Sequence, residues 1–187
     1  MMRADAVALV AAALRDDALV VACNGMIGRE LYTRADASTR FYMIGSMGLA
    51  SSIGLGVALV KPSRTVVVFD GDGNVLMNFG GLASVAAAGA TNFHHVVFDN
   101  AAHGSTGNQR TISDRVPLDD VARAAGYRRT ARVRDSGQLR TTLESWFDAP
   151  GPSMLLVEVD RQNVAGIGRV EPSPTDITAR FRAACAQ

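Results

Sequence analysis

The chain has 187 residues, which suits one domain with a real hydrophobic core. Hydrophobic residues make up 48%, too many for a disordered chain, and a formal net charge of +1 argues against a general nucleic-acid role. No apolar run reaches the roughly 18 residues of a membrane span, because the longest candidate, 43–60, is interrupted by glycines and serines.

Residues 4–14 carry an alanine-rich helical pattern flanked by Arg3 and Arg15, unlike a secretory signal. Residues 18–23 (Ala-Leu-Val-Val-Ala-Cys) predict a buried strand, 41–44 a short strand, and 47–60 a helix of small residues that Pro62 stops. A central strand follows over 65–70, then a helix over 75–89 ending at Gly89, then a strand over 94–99. Helices are predicted over 117–125 and 136–147, a last apolar strand over 153–159, and a loop over 161–174 before a terminal helix. Continuous apolar strands separated by helices predict an α/β fold, a parallel sheet with helices on both faces, in a single domain spanning 1–187. Cys23 and Cys185 have no metal or redox spacing, so Cys23 is expected in the core of a reduced, cytoplasmic protein. His94 and His95 open a strand and are expected to be structural. Every basic residue except Lys61 is arginine, so the arginines between 123 and 140 reflect composition rather than a nucleic-acid surface.

Two matched segments carry the chemistry. Phe69-Asp70-Gly71-Asp72-Gly73-Asn74 and Val97-Phe98-Asp99-Asn100-Ala101-Ala102 each follow an apolar run and end in oxygen-bearing or small residues. Each reads as a buried strand stopping at a polar rim, and the carboxyl ends of strands are where ligands bind in open parallel sheets. The carboxylate of Asp72 and the amide of Asn100 are hard oxygen ligands suited to Mg²⁺ or Ca²⁺. Magnesium held by so few protein oxygens usually holds a phosphate as well. A metal-diphosphate site follows, with Gly73 and Asn74 opening a helix whose free N–H groups favour phosphate oxygens.

Gly71-Asp72-Gly73, a spacer of 25 residues (74–98) and Asp99-Asn100 resemble the thiamine diphosphate motif. Phe41 to Ala50 resembles the block that grips the aminopyrimidine ring. Ala101-Ala102-His103-Gly104-Ser105-Thr106-Gly107-Asn108-Gln109 resembles the segment after the metal ligands in phosphonopyruvate and sulfopyruvate decarboxylases. The resemblance runs from about residue 18 to 160 and implies a thiamine-diphosphate-binding fold, specifically its diphosphate-binding domain. It implies thiamine diphosphate and Mg²⁺ as cofactors, with Asp72, Asn100 and the backbone carbonyl of Ala102 as metal ligands. Cofactor contacts would come from Gly45, Ser46, Met47, Gly73, Asn74, Gly104 and Ser105. Gly45 would offer its carbonyl to the pyrimidine, and Met47 would wedge between the two rings. Asn74 replaces the usual small hydroxyl residue, His103 stands where tyrosine is common, and Arg110 stands where proline is common. His103 is a candidate for proton transfer, since an unperturbed histidine titrates near pH 6.5.

The pyrimidine-binding domain of this family, which carries the activating glutamate, has no counterpart in the chain. The resemblance therefore implies a β subunit that works in a hetero-oligomer with a pyrimidine-binding α subunit. Its substrate would be a small anionic 2-oxo acid, 3-phosphonopyruvate or 3-sulfopyruvate, and its reaction decarboxylation. Carboligation to an acyloin on the same residues, or a cofactor-binding partner subunit without activity, are the alternatives.

Overall fold

A computed structural model describes residues 1–187. The elements in chain order are α1 (Arg3–Ala12), β1 (Leu19–Ala22), α2 (Met26–Ala35), β2 (Arg40–Tyr42), α3 (Ala50–Val60), β3 (Val66–Gly71), α4 (Asp72–Met77) and α5 (Gly81–Ala88). They continue with β4 (Phe93–Asp99), β5 (Ala102–His103), β6 (Gln109–Arg110), α6 (Leu118–Ala125), β7 (Arg129–Val133), α7 (Ser136–Trp146), β8 (Ser153–Glu158) and α8 (Pro174–Ala186).

Six strands form one sheet in the order β2-β1-β3-β4-β8-β7, and every pairing is parallel. The two short strands β5 and β6 form a separate antiparallel hairpin. The helices α1, α2 and α7 pack together, as do α3, α5 and α6. The chain steps one way across the sheet through α3, α5 and α6 and the other way through α2 and α7, so right-handed crossovers put the two groups on opposite faces. That sandwich explains the composition of the inner strands: β1, β3 and β4 are buried at every position, with no alternation to a wet face. The α/β class expected from the sequence is therefore the observed one.

Four features depart from the linear reading. The helix expected from residue 47 begins at Ala50, because Ser46 and Gly48 take left-handed backbone, with φ of 54° and 93°. A side chain at Gly48 would stand 3.0 Å from Met77 Cβ, so only glycine lets this loop lie against α4. The helix expected over 75–89 is two helices, α4 and α5, divided where Asn78 leaves helical backbone before Gly80 and Gly81. Helix α2 has no predicted counterpart, and buries Gly28 and Glu30 beside Ile27 and Leu31. Strand β7 is partly exposed and rich in arginine, as an edge strand can be, so no apolar run marks it.

The close approach of α3 to β3 rests on a glycine. A Cβ at Gly54 would lie 2.3 Å from Val68 Cγ2, so α3 sits on β3 at glycine distance. Gly56, two residues on and on the opposite side of the helix, has open space beside it. The arginines near the C-terminal half are mostly spoken for. Arg132 pairs with Asp119 and Glu158, Arg134 with Glu158, Arg123 with Asp120, and Arg129 lies 3.9 Å over the Trp146 ring. His94 and His95 are buried, His94 bonding Ser153 Oγ at 2.9 Å and His95 Nε2 meeting Asp70 at 3.1 Å. No helix is long and apolar enough to cross a membrane.

Candidate functional site

The carboxyl ends of β1, β3 and β4 open into one cleft. Its floor is the turn from β3 into α4. Asp72, Gly73 and Asn74 line it there, and Asn100 and Ala102 line it from the end of β4. His103, Gly104 and Ser105 close one side and Met47 reaches in from the loop before α3. Gly45 and Ser46 do not face this cleft. They sit on an exposed lip and line a neighbouring apolar groove with Phe41, Ile53 and Ile177.

Local hydrogen bonds hold each candidate ligand atom. Asp72 is buried and its Oδ2 accepts from the hydroxyls of Thr111 and Ser113. Ser113 also donates to Asp99 Oδ1 at 2.8 Å, which ties the two motif segments together. Burial pushes the Asp72 carboxyl up to about 6, the Thr111 hydrogen bond opposes that shift, and the Asp99 charge adds to it. Asn100 Oδ1 accepts the Ala102 N–H at 3.1 Å, an Asx-type turn that aims the amide, and the intervening Ala101 is left-handed with φ of 51°. Arg161 Nε donates to the Asn100 carbonyl at 3.1 Å.

Asn74 does something the sequence did not show. Its Oδ1 accepts the Gly48 N–H at 2.9 Å, so the side chain fixes the loop that presents Met47. Gly73 is where the two flanking side chains converge. A Cβ there would lie 2.7 Å from the His103 ring and 3.3 Å from Met47 Cε. The bare backbone at Gly73 is therefore what lets a ring and a thioether meet above the β3–α4 turn.

Several lining residues escaped the linear reading. Asn24 and Gly25 in the turn after β1, with Met26 and Ile27 at the start of α2, also line the cleft. Asn24-Gly25 after an apolar run is a turn signal, and that signal was available. Arg3 also lines the cleft, from the first helix. Thr111 and Ser113 carried no local sign of their role.

The site fits a metal-bound diphosphate. Its oxygen donors are one carboxylate, one amide and a neighbouring backbone carbonyl, the set a hard cation takes when phosphate completes its shell. No group of three or more His, Cys, Asp or Glu stands ready to hold a metal alone. Asn24 Oδ1 is buried without a hydrogen-bond partner, an acceptor left for a cation or donor, and α2 starts at the cleft without a side-chain cap, leaving free N–H groups suited to phosphate oxygens. The fold and site thus define a diphosphate-binding α/β domain of the kind that takes a phosphorylated cofactor.

Comparison with known proteins makes this specific. Residues 20–157 match the family described as thiamine pyrophosphate enzyme, C-terminal TPP binding domain. The chain is 44% identical over 172 residues to a phosphonopyruvate decarboxylase of Streptomyces viridochromogenes, covering 92% of this chain and 43% of that protein. It is 39% identical over 165 residues to sulfopyruvate decarboxylase subunit beta of Methanococcus maripaludis, covering 87% of this chain and 86% of that subunit. Among solved structures, benzoylformate decarboxylase from Polynucleobacter necessarius superposes with a TM-score of 0.74 at 16% identity, over 86% of this chain and 33% of that one. That likeness speaks for the fold alone. The chain spans less than half the length of the phosphonopyruvate decarboxylases it matches. It belongs to the thiamine pyrophosphate enzymes, in the group of the phosphonopyruvate and sulfopyruvate decarboxylases.

Proposed function

We propose that this chain is the diphosphate-binding subunit of a thiamine-diphosphate-dependent 2-oxo acid decarboxylase. Its substrate is an anionic pyruvate derivative, 3-phosphonopyruvate or 3-sulfopyruvate. The observation that carries the reading is the cleft in which Asp72, Asn100 and Ala102 converge, in a chain similar to a sulfopyruvate decarboxylase subunit beta over most of both lengths.

Asp72, Asn100 and the Ala102 carbonyl would hold Mg²⁺, and the backbone at Gly73, Gly104 and Ser105 would meet the diphosphate. Thiamine diphosphate supplies the electron sink for loss of CO₂ when it is bound. Met47, fixed by the Asn74–Gly48 hydrogen bond, would support the bent cofactor, and Gly45 and Ser46 would meet its pyrimidine from the exposed lip. His103, half-buried beside Gly73, is the chain's own candidate to hand over a proton.

The activating carboxylate has to come from elsewhere. None of the four glutamates, Glu30, Glu144, Glu158 and Glu171, lines the cleft. Glu30 is buried against Arg3, and Glu158 pairs with Arg132 and Arg134. A pyrimidine-binding partner chain carrying that glutamate completes the proposal and makes the enzyme a hetero-oligomer. Exposed Ile44, Leu49 and Phe79 on the loops near Gly48, and Met77 at the end of α4, support a partner at this face. We place the enzyme in the reducing cytoplasm, a reading that its two free thiols support.

The test is co-expression with a separately encoded pyrimidine-binding chain, then measurement of CO₂ release from both substrates with thiamine diphosphate and Mg²⁺. The assembled complex is expected to turn over and this chain alone to be inactive. A complex silent on both substrates, or robust turnover by the isolated chain, would overturn the proposal.

A further inference from the structure

The N-terminal helix places a charged side chain in the cleft that neither the metal motif nor the loop after it predicts. Arg3 has a side chain only 4% exposed, and Glu30 opposite it is fully buried. Its guanidinium has five N–H donors in a rigid fork. Nε donates to Glu30 Oε2 at 2.9 Å, and Nη2 donates to Glu30 Oε1 and Asn163 Oδ1, both at 2.8 Å. The two hydrogens on Nη1 have no acceptor in the chain. Nη1 is not sealed off: it is open to the cleft, where it can take an acceptor from a ligand without the chain having to supply one.

Nη1 is on the wall of the cleft. A Cβ at Gly104 would stand 3.3 Å from it and 3.5 Å from Asn100 Nδ2, so the guanidinium and the ligand amide flank one spot. Asn163, which grips Nη2, also donates to the Gly104 carbonyl at 3.1 Å. The arginine is thus locked on two sides, with its free edge beside the backbone that the diphosphate would meet. Arginine's planar fork suits a phosphate oxygen better than lysine's single ammonium point.

We propose that Arg3 Nη1, held by Glu30 and Asn163, binds the distal phosphate of the cofactor and selects a diphosphate over a monophosphate. This rests on the reading of the cleft as a diphosphate site. Glu30 serves two ends: it orients the fork and neutralises the buried cation while no phosphate is present. The ion pair also joins α1 and α2 to the loop at Gly104, so the first helix becomes part of cofactor recognition.

The experiment titrates the assembled enzyme with thiamine diphosphate and with thiamine monophosphate, each with Mg²⁺, by calorimetry. Arg3→Met alone strands Glu30, so the informative variants are Arg3→Lys and the double change Arg3→Met with Glu30→Met. Diphosphate affinity is expected to fall about 10- to 100-fold in the double variant, the usual cost of one hydrogen bond to a charged group. Monophosphate affinity is expected to hold, and Arg3→Lys to fall in between. Unchanged diphosphate preference in a folded double variant overturns the assignment of Arg3, as does an unchanged cofactor affinity with a raised KM for the 2-oxo acid. Failure of the wild type to bind thiamine diphosphate with Mg²⁺ instead sinks the diphosphate site itself. If the double variant does not fold, a crystal structure of the wild-type enzyme with thiamine diphosphate and Mg²⁺ decides. Nη1 is expected within hydrogen-bond distance of a distal phosphate oxygen, and a gap wider than that refutes the proposal.

Discussion

Replacing Asp72 with asparagine removes a buried charge and leaves the shape of the side chain nearly intact. Asp72 is 2% exposed, and burial raises its carboxyl from 3.8 to about 6 despite the Thr111 and Ser113 hydroxyls that favour the ion. A shift of about two units corresponds to roughly 3 kcal/mol at 1.36 kcal/mol per unit. The sign follows from linkage. A carboxyl whose folded value lies above its unfolded one favours the fold most below about pH 4, and that advantage is lost as the pH rises through about 6. Above that range the cofactor-free protein carries the charge at a cost, which a bound Mg²⁺ with its phosphate would relieve. An asparagine in place of Asp72 would keep an oxygen for the two hydroxyls and drop the charge. Cofactor-free Asp72→Asn protein is therefore expected to be more stable at pH 7.5 by up to about 3 kcal/mol. For a chain of this size that raises Tm by roughly 6–12 °C. Its stability should also lack the decline between about pH 4 and 7 that is expected of the wild type. Thermal melts across that pH range, without and with Mg²⁺ and thiamine diphosphate, read both effects. The same variant should gain nothing from the ligands, while the wild type gains several degrees. A cofactor-free variant that is less stable than the wild type at neutral pH would refute the argument, because Asp72 would then be a structural carboxylate and not a ligand held at a cost.

Three further changes probe the rest of the cleft. Thr111→Val removes one hydroxyl from Asp72 and is expected to weaken Mg²⁺-dependent cofactor binding about tenfold, with Thr111→Ser restoring it; calorimetry checks both, and no loss would make the contact incidental. Met47→Ala is expected to cut kcat more than cofactor affinity, since the diphosphate anchor at Asp72 and Asn100 survives; equal losses in steady-state kinetics and binding would indicate a packing defect instead. His103→Phe keeps a ring against Gly73 but cannot carry a proton, so turnover is expected to fall by roughly 10²–10⁴-fold with binding unchanged, and wild-type turnover would leave His103 a packing residue.

Much of the site could be read along the chain because its parts are local. The strands β3 and β4 are continuous apolar runs, and burial on both faces of a parallel sheet requires such runs. Asp72 and Asn100 follow those runs directly, so their place at the rim comes with the strands. Gly73 beside Asp72, and Ala102 two residues after Asn100, are fixed by the same short turns.

Tertiary structure decided what depends on distant segments meeting. Thr111 and Ser113 reach Asp72 across 39 and 41 residues, and no local pattern marks a hydroxyl that a hairpin will carry back over the β3–α4 turn. Arg3 and Asn163 meet across 160 residues beside Gly104, where a charged first-turn residue and a loop amide look in sequence like ordinary surface. Asn74 turned out to hold the Met47 loop, and Gly45 and Ser46 turned out to lie on a lip outside the cleft, because the left-handed residues before Ala50 rotate that loop. Hydrophobic periodicity encodes which face of an element is buried, but it carries no information about which polar atoms two buried faces will bring together.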